Sequence, residues 1–461
     1  MKTKIIIVTI LLALVRIAAG LHSVSLEESI DLARAGNKQL ATAREEIGVY
    51  RQMYNEVRGN LLPQISLNAG YQYQQTRLPD SAIPPLSDLL SELDEYATYN
   101  DSTIADYLDT VVNGMIPYEV QKEYSAFGQI KLDQVVFLGG KLINGINIAG
   151  KLYHLQEKKY FLTEQEIIFE TIRLYYQTKL AEKLVDIQRD ALIFAEAYQQ
   201  QVNEMFEQGL VSEYDQLRAR LEVQKLRPQL LEAEKNYRLI RESLLNHLNL
   251  PSSELVLTSD IEIPVPLEIT LEEAIAEGLA NRTELELAEI NLEVNRVNLR
   301  YEKGNFLPNI GISAAYNYYG SGEKKIESEG WGDSYELGIG FSMPLFTGLS
   351  NSARIQKARH TYRQAELNLR DLEEKIVLDI TSSYQQWLAD MEKVVTQQEN
   401  VELAGKGLII AQARYENQVS NQLEVIDAQL QVKSARLSYL DATYQAAVSF
   451  YQLRKALGRE I

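Results

Sequence analysis

The side chains that most often do chemistry are either absent from this sequence or lack a recognisable spacing. There is no cysteine, which excludes disulfides, thiolate metal sites and a cysteine nucleophile. The histidines are too scattered to form a metal-ligand motif: His22, His154, His247 and His360. The GGK run at residues 139–141 is not a phosphate loop, because the earlier glycine and the following Ser or Thr are missing. We therefore expect no enzyme, no cofactor and no metal site.

Length and charge narrow the class of protein further. The chain has 461 residues, which exceeds one ordinary core and favours two domains or an internal duplication. Its formal net charge is −18, and this argues against nucleic-acid binding, which needs clustered Lys and Arg.

The first 20 residues have the pattern of a secretory signal peptide. Lys2 and Lys4 precede an apolar run at 5–15, and small residues occupy 18–20. An uncleaved membrane anchor is the alternative, but Arg16 interrupts the run well before the ~20 apolar residues that a membrane span needs. No later stretch is apolar enough for a transmembrane helix.

The chain contains two copies of one pattern. Residues 26–73 align without gaps on residues 271–318, an offset of 304 − 59 = 245, and 17 of the 48 positions are identical. From residue 137 onwards a second offset holds, 346 − 137 = 209, so the first copy carries one insertion of 245 − 209 = 36 residues. The sequence therefore predicts a duplication.

Each copy predicts a helix followed by a strand. Ser25 and Thr270 begin capping boxes, and a glycine and a proline end each helix at the turns Gly59, Pro63, Gly304 and Pro308. Apolar residues then alternate with polar ones, which predicts strands at 64–76 and 309–320, followed by returning strands at 124–137 and 335–346. Candidates for a lipid-facing side of these strands are Ile65, Leu67, Tyr71, Ile310, Ile312 and Tyr316.

Very long helices follow the strands in both copies. Apolar residues at spacings of three and four predict antiparallel helical hairpins at 141–248 and 350–457, packed as coiled coils. Four strands with an apolar face leave two open edges, which lipid does not tolerate, so sister chains must complete a barrel. We expect a mainly α fold with a small β portion: an internally duplicated chain of long antiparallel coiled-coil helices that contributes four strands to an oligomeric β-barrel.

These features together resemble the TolC-like outer membrane efflux factor family. The resemblance rests on the duplicated helix and strand order, on PLFTG before the second long helix, and on GLVSEYDQLRA at 209–219, and it covers residues 23–458. It implies a homotrimer with a twelve-stranded outer membrane β-barrel and a twelve-helix periplasmic α-barrel. The implied partners are outer membrane lipid, a periplasmic adaptor (membrane fusion protein) and an inner membrane transporter. The expected domains are a signal peptide at 1–20, repeats at 23–250 and 270–458, and a linker at 251–269.

The family's periplasmic gate maps onto the helical tips. The resemblance assigns it to Glu424, Asp427, Asp215 and Tyr415. A threefold ring of carboxylates would attract cations and repel anions, whereas the alternative is ordinary solvated helix carboxylates. An arginine common in the family is replaced by Ser420, and a glycine by Gln418, so we expect a weaker or differently built lock.

The same tips carry adaptor contacts in the family. The docking candidates are Gly209, Leu210, Val211, Ser212, Val419 and Ser420, and simple turn chemistry is the alternative reading. The insertion at 78–121 holds nine acidic and no basic residues, which indicates a solvated extracellular loop more than a cation-attracting one.

The function expected from these elements is a passive exit channel in the Gram-negative outer membrane. A type I protein-secretion outlet, in place of drug or metal efflux, is an alternative within the family. A periplasmic coiled-coil adaptor or scaffold is an alternative from another class, and the strand alternation argues against it. The sequence does not name the cargo.

Overall fold

A computed structural model describes residues 21–76, 121–251, 254–322, 330–417, 419–420 and 422–461. The predicted signal peptide, and the acidic insertion apart from its last residue, lie outside these ranges. The chain forms two compact units. The helical unit comprises the described residues up to Met53 with Ile148–Val297 and Ala358–Ile461, and the strand unit comprises those of Tyr54–Asn147 and Asn298–Lys357. Each unit draws on both sequence repeats.

Six strands and eight α-helices are formed by the described residues. The strands are β1 (Leu21–Val24), β2 (Gln64–Thr76), β3 (Gln121–Leu138), β4 (Glu254–Leu257), β5 (Asn309–Gly322) and β6 (Trp331–Ser342). The helices are α1 (Leu26–Gly36), α2 (Lys38–Gly59), α3 (Lys141–Glu207), α4 (Glu213–His247), α5 (Leu271–Asn281), α6 (Thr283–Lys303), α7 (Ser350–Glu416) and α8 (Gln422–Ala456).

The first helix of each repeat begins at the expected cap. Ser25 accepts a hydrogen bond from the amide of Glu28, whose carboxylate accepts from the Ser25 amide, and Thr270 forms the same box with Glu273. The prediction of one continuous helix was wrong, since a new helix begins after Asn37 and after Arg282. The side chain of Asn37 accepts from the Gln39 amide at 2.8 Å, and this local bond restarts the helix.

The long helices match between the repeats. α3 and α7 each have 67 residues, and α4 and α8 each have 35. At 1.5 Å per residue, 67 residues extend for about 100 Å. None of the described helices combines the length and the apolarity that a membrane crossing would require.

Two equivalent tyrosines in the helical unit bind the start of each repeat. Tyr175 is fully buried, and its hydroxyl donates to the Val24 carbonyl and accepts from the Ser259 amide. Tyr384, 209 residues later, donates to the carbonyl of Ile269, which is the counterpart of Val24 under the 245-residue offset. The two cores of the helical unit are therefore built on one plan.

The helical unit also contains a strand pair that the sequence reading missed. β1 pairs in parallel with β4, from Leu21 opposite Glu254 to Val24 opposite Leu257. β4 lies inside the stretch that was expected to be a linker. A strand of four residues is too short to show an alternating pattern, which explains the omission.

The strand unit contains one antiparallel sheet in the order β2-β3-β5-β6. A β-bulge lies between Val135 and Phe137 of β3. β6 begins four residues earlier than predicted and ends four earlier, because Asn309, the first residue of β5, pairs with Ser342. Within the described part of the chain, β2 and β6 are each paired along one side only.

The two faces of the sheet have opposite character. On one face lie exposed apolar side chains, and Leu337 is 86% exposed. On the other, amide side chains form a row across the strands: Asn68 donates to Gln129 at 3.4 Å, Gln129 to Asn317 at 2.8 Å, and Asn317 to Ser334 at 3.2 Å. The sheet thus presents one apolar and one polar surface.

Candidate functional site

The candidate site lies at two turns of the helical unit, where α3 meets α4 and where α7 meets α8. The first turn reverses at Gly209, which has φ +72°, a conformation that glycine adopts without strain. The amide of Leu210 donates to the Met205 carbonyl at 2.9 Å and closes the end of α3. The second turn is closed in the same way, by the Val419 amide on the Arg414 carbonyl at 2.8 Å.

The predicted docking residues divide into structural and exposed ones. Gly209 supplies the turn, Ser212 is the N-cap of α4, and Val211 packs against the buried cluster at the tip. Leu210 is 59% exposed and Val419 is 68% exposed. Each tip therefore presents one exposed aliphatic side chain beside residues that build the turn.

Asp215 lies in the first turn of α4, where it completes a capping box. Its carboxylate accepts from the Ser212 amide at 3.1 Å and from the Ser212 hydroxyl at 2.7 Å, and the Asp215 amide donates back to that hydroxyl. The carbonyl of Asp215 also accepts from the Gln422 side chain at 3.5 Å. The Asp215 side chain thus has a helix-capping role in this structure.

Tyr415 joins the two hairpins through aromatic contacts. Its ring centroid lies 6.0 Å from that of Tyr198 on α3, and Phe194 stacks on Tyr198 at 6.3 Å. The Tyr415 hydroxyl points to the sulfur of Met205 at 3.7 Å. Burial, together with the neighbouring Tyr415 hydroxyl, raises the pKa of Tyr198 far above its usual value, so this hydroxyl stays protonated.

Sequence reading did not single out Tyr198. Phe194, Tyr198 and Val202 recur every four residues, which places them on one face of α3. That spacing is the signal by which the contact could have been found.

Glu424 and Asp427 lie in the first two turns of α8. Residues three apart lie on the same side of a helix, so both carboxylates are on one face. Oε1 of Glu424 is 3.5 Å from Nε of Arg414 in the last turn of α7. The two side chains are about half exposed, and Asp427 is exposed.

Arg414 was not predicted as part of the site. The family arginine was expected at residue 420, where this chain has Ser420. Arg414 instead approaches Glu424 from the other side of the turn. The site thus brings together Glu424 and Arg414 in one pair and Tyr415 and Tyr198 in another.

The described residues offer no cluster of three or more His, Asp or Glu side chains that could hold a metal ion. His247 is occupied otherwise, since its Nε2 lies 2.9 Å from the hydroxyl of Thr171. That hydroxyl gives its own proton to the Ile167 carbonyl at 2.7 Å, so His247 Nε2 is the donor.

Comparison with known proteins agrees with this architecture. TolC of Vibrio cholerae is 22% identical over 451 residues, which cover 97% of this chain and 93% of that protein. TolC of Escherichia coli is 21% identical, with 95% and 84% covered. The crystal structure of the Campylobacter jejuni CmeC outer membrane channel superposes with a TM-score of 0.74 at 17% identity, covering 94% of this chain and 85% of that one.

A sequence model of a whole family also matches both repeats. The family is described as Outer membrane efflux protein, and the matched residues are 29–250 and 274–459. These two segments correspond to the two copies of the pattern, and together they cover most of the chain. The protein therefore belongs to the outer membrane efflux protein family, the exit ducts of efflux and secretion systems in the outer membrane of Gram-negative cells.

Proposed function

We propose that the chain works as a homotrimer that forms a passive exit channel. Three sheets complete a twelve-stranded β-barrel in the outer membrane, and twelve long helices form a tunnel in the periplasm. A periplasmic adaptor and an inner membrane transporter supply the energy. The protein itself contributes a path and a gate, with no catalytic step.

The amphipathic, open-edged sheet carries this proposal. An exposed face of Tyr335, Leu337 and Ile339 suits lipid, and the amide row on the opposite face suits a water-filled lumen. In lipid the free edges of β2 and β6 would leave backbone groups unpaired at a cost of several kcal/mol each. Closure by further copies removes both edges.

The lipid-facing candidates of the sequence reading fit this proposal. Ile65, Leu67 and Tyr71 of β2 are exposed. They are an even number of residues apart in the strand, so their side chains lie on the same face of the sheet. Ile310, Ile312 and Tyr316 of β5 are partly exposed. We assign all six to the lipid side.

The repeats at 23–250 and 270–458 supply equivalent parts of the channel wall. Each provides one strand hairpin and one long helical hairpin, and the helical lengths match. In each repeat the chain changes from helix to strand at a turn, and the turn residues are Gly59, Pro63, Gly304 and Pro308. The stretch 251–269 joins the two repeats and contributes β4.

We assign the gate to Glu424, Asp427 and Tyr415. Three copies of two carboxylates at a narrow mouth create a negative potential that favours cations. The contact of Tyr415 with Tyr198 ties the two hairpins together when the mouth is narrow. Asp215 supports the gate indirectly. Its side chain caps α4, and its own backbone carbonyl accepts a hydrogen bond from the Gln422 side chain on α8.

We assign adaptor docking to the two turns, with Leu210 and Val419 as the contact side chains. Both are apolar and exposed at the ends of hairpins. Gly209, Val211, Ser212 and Ser420 shape the turns that present them. An adaptor with small apolar pockets at its own tip suits this surface.

Two measurements test the proposed function. The protein, extracted from outer membranes in mild detergent, should have the mass of three chains. In planar lipid bilayers it should give single-channel conductance that Asp427→Asn makes less cation-selective. A monomer that extracts into buffer without detergent would instead identify a periplasmic scaffold.

A further inference from the structure

The repeats meet inside the strand unit through two glycines. Gly139, with φ +60°, precedes α3, and Gly304 follows α6. A Cβ on Gly139 would lie 2.2 Å from the Gly304 carbonyl oxygen, and a Cβ on Gly304 would lie 2.5 Å from the Gly139 oxygen. The two backbones therefore touch at a distance that no side chain permits.

The duplication gives each of these glycines a counterpart. The 209-residue offset converts Gly139 into Gly348, and the 245-residue offset converts Gly304 into Gly59. Gly348 has φ +60°, as Gly139 has. Yet a Cβ built on either Gly348 or Gly59 has no atom within 4 Å. The contact between Gly139 and Gly304 is therefore formed within the protomer. The equivalent residues Gly348 and Gly59 are both present, but neither has a partner among the described residues of the protomer.

The strands show the same relationship. β3 pairs with β5, where Gly128 lies opposite Tyr318 and Ile130 opposite Tyr316. The offsets convert β3 into β6 and β5 into β2, which are the two edge strands. Tyr71 is 68% exposed, whereas its counterpart Tyr316, which has a strand on both sides, is 37% exposed.

We infer that β6 of one protomer pairs antiparallel with β2 of a second copy, with Leu337 opposite Tyr73 and Ile339 opposite Tyr71. Gly348 then lies against Gly59 of that copy. The inference rests on the proposed trimer and adds its register. The contact is heterologous, so three copies related by the threefold axis of the proposed trimer close a ring.

Register slips are excluded on two grounds. A slip of one residue would place Leu337 opposite Gln72 or Gln74 and bring polar side chains to the apolar face. A slip of two residues keeps the faces aligned, but it moves Gly348 away from Gly59. The glycine contact therefore selects one register among those that the faces allow.

The inferred register also explains an unpaired segment after β6. The bulged end of β3 pairs Phe137 with Ile310. The counterpart is Phe346 opposite Ile65 of the next copy, and within the protomer these side chains are 83% and 72% exposed. Residues 343–346 therefore continue β6 in the assembled barrel.

Disulfide trapping tests the register directly, because the chain has no cysteine. Leu337→Cys with Tyr73→Cys should form intermolecular disulfides, seen as linked dimers and trimers on non-reducing gels. The pairs Leu337→Cys with Tyr71→Cys and Ile339→Cys with Tyr73→Cys are the two slipped registers. They should link several-fold less, since Cβ atoms of residues two apart diverge beyond disulfide reach.

The outcomes separate the register from the trimer itself. A three-chain mass with preferential linkage of a slipped pair, or with no linkage in any pair, overturns the inferred register. A one-chain mass overturns the proposed function.

A second variant tests the glycine contact independently. Gly59 is the last residue of α2 and alanine fits a helix, so Gly59→Ala should leave the protomer fold intact. It should lower the fraction of trimer, because the new Cβ meets the neighbour's backbone at Gly348. Gly48→Ala is the matched control on the same helix, and a Cβ there also has no atom within 4 Å. Equal trimer fractions for the two variants contradict the inferred contact.

Discussion

Nε of Arg414 lies 3.5 Å from Oε1 of Glu424, across the turn that joins α7 to α8. Both side chains are about half exposed, so the pair contributes roughly 0–1 kcal/mol to stability. Its larger effect is on charge. The guanidinium offsets the Glu424 carboxylate and leaves Asp427 as the main negative charge of the proposed gate.

Arg414→Gln should therefore make the channel more cation-selective. Removing one positive charge per protomer uncovers Glu424. A change of about one kT in the mouth potential raises cations and lowers anions roughly threefold each, so the cation-to-anion permeability ratio changes roughly sevenfold. Reversal potentials in planar bilayers measure this ratio. Arg414→Lys should behave like the unaltered protein, and Glu424→Gln should reverse the change when combined with Arg414→Gln. If the double variant keeps the raised selectivity of Arg414→Gln, the change does not come from uncovering Glu424.

Ser212→Ala should destabilise the start of α4 by about 1 kcal/mol, because the N-cap acceptor is lost. Ser212→Gly should cost only a few tenths of a kcal/mol, since glycine is itself a tolerated cap. Limited proteolysis at the first turn reports this local opening.

Asp215→Asn should leave ion selectivity unchanged, since its carboxylate serves the cap. A selectivity shift equal to that of Asp427→Asn would return Asp215 to the gate.

Tyr175→Phe should destabilise the protein more than Tyr384→Phe. The Tyr175 hydroxyl serves both the Val24 carbonyl and the Ser259 amide. Removing it takes the acceptor from the Ser259 amide at about 1–3 kcal/mol, whereas the Val24 carbonyl keeps its bond from the Thr258 amide. Tyr384 serves a single carbonyl and is less buried. Thermal unfolding in detergent compares the two variants, and equal costs would mean that the second bond contributes little.

His247 should make stability fall in mild acid. Burial lowers the pKa of His247 below its ordinary value of 6.5, so the unfolded chain binds this proton more readily than the folded one. Stability is therefore complete above pH 6.5 and declines as the pH falls through 6.5 towards the folded pKa. The effect should be small, since the imidazole is only half buried.

The measurement is the unfolding midpoint at pH 7.5 and at pH 5.5. His247→Gln should show a smaller drop between these pH values than the unaltered protein. Parallel drops in both proteins would remove His247 as the source.

Much of the fold could be predicted because its signals are local and written twice. The caps at Ser25 and Thr270, the change of period after Pro63 and Pro308, and the uninterrupted apolar spacing of the long helices each depend on neighbouring residues. The break at Asn37 was overlooked although Gly36 and Asn37 are helix-ending residues, because the apolar period continues beyond them.

Other features depended on contacts far apart in the sequence. β1 and β4 are recognisable only through their pairing, and the end of β6 is set by where β5 begins. At the site, Glu424 and Tyr415 were named from the sequence as candidate residues, but their contact partners Arg414 and Tyr198 were not. Which side chain reaches across a turn depends on helix phase, and a single sequence does not specify that phase to within one residue.

The parallel pairing of β1 with β4 has a consequence for biogenesis. β1 leaves the translocation machinery ahead of the rest of the described chain, while β4 lies in the second half of the sequence. The backbone groups that β1 presents to β4 have no mate until more than half of the polypeptide has been exported. Newly translocated molecules therefore pass through a stage in which β1 is undocked and open to chaperones and proteases, and this stage lasts at least until β4 has been exported.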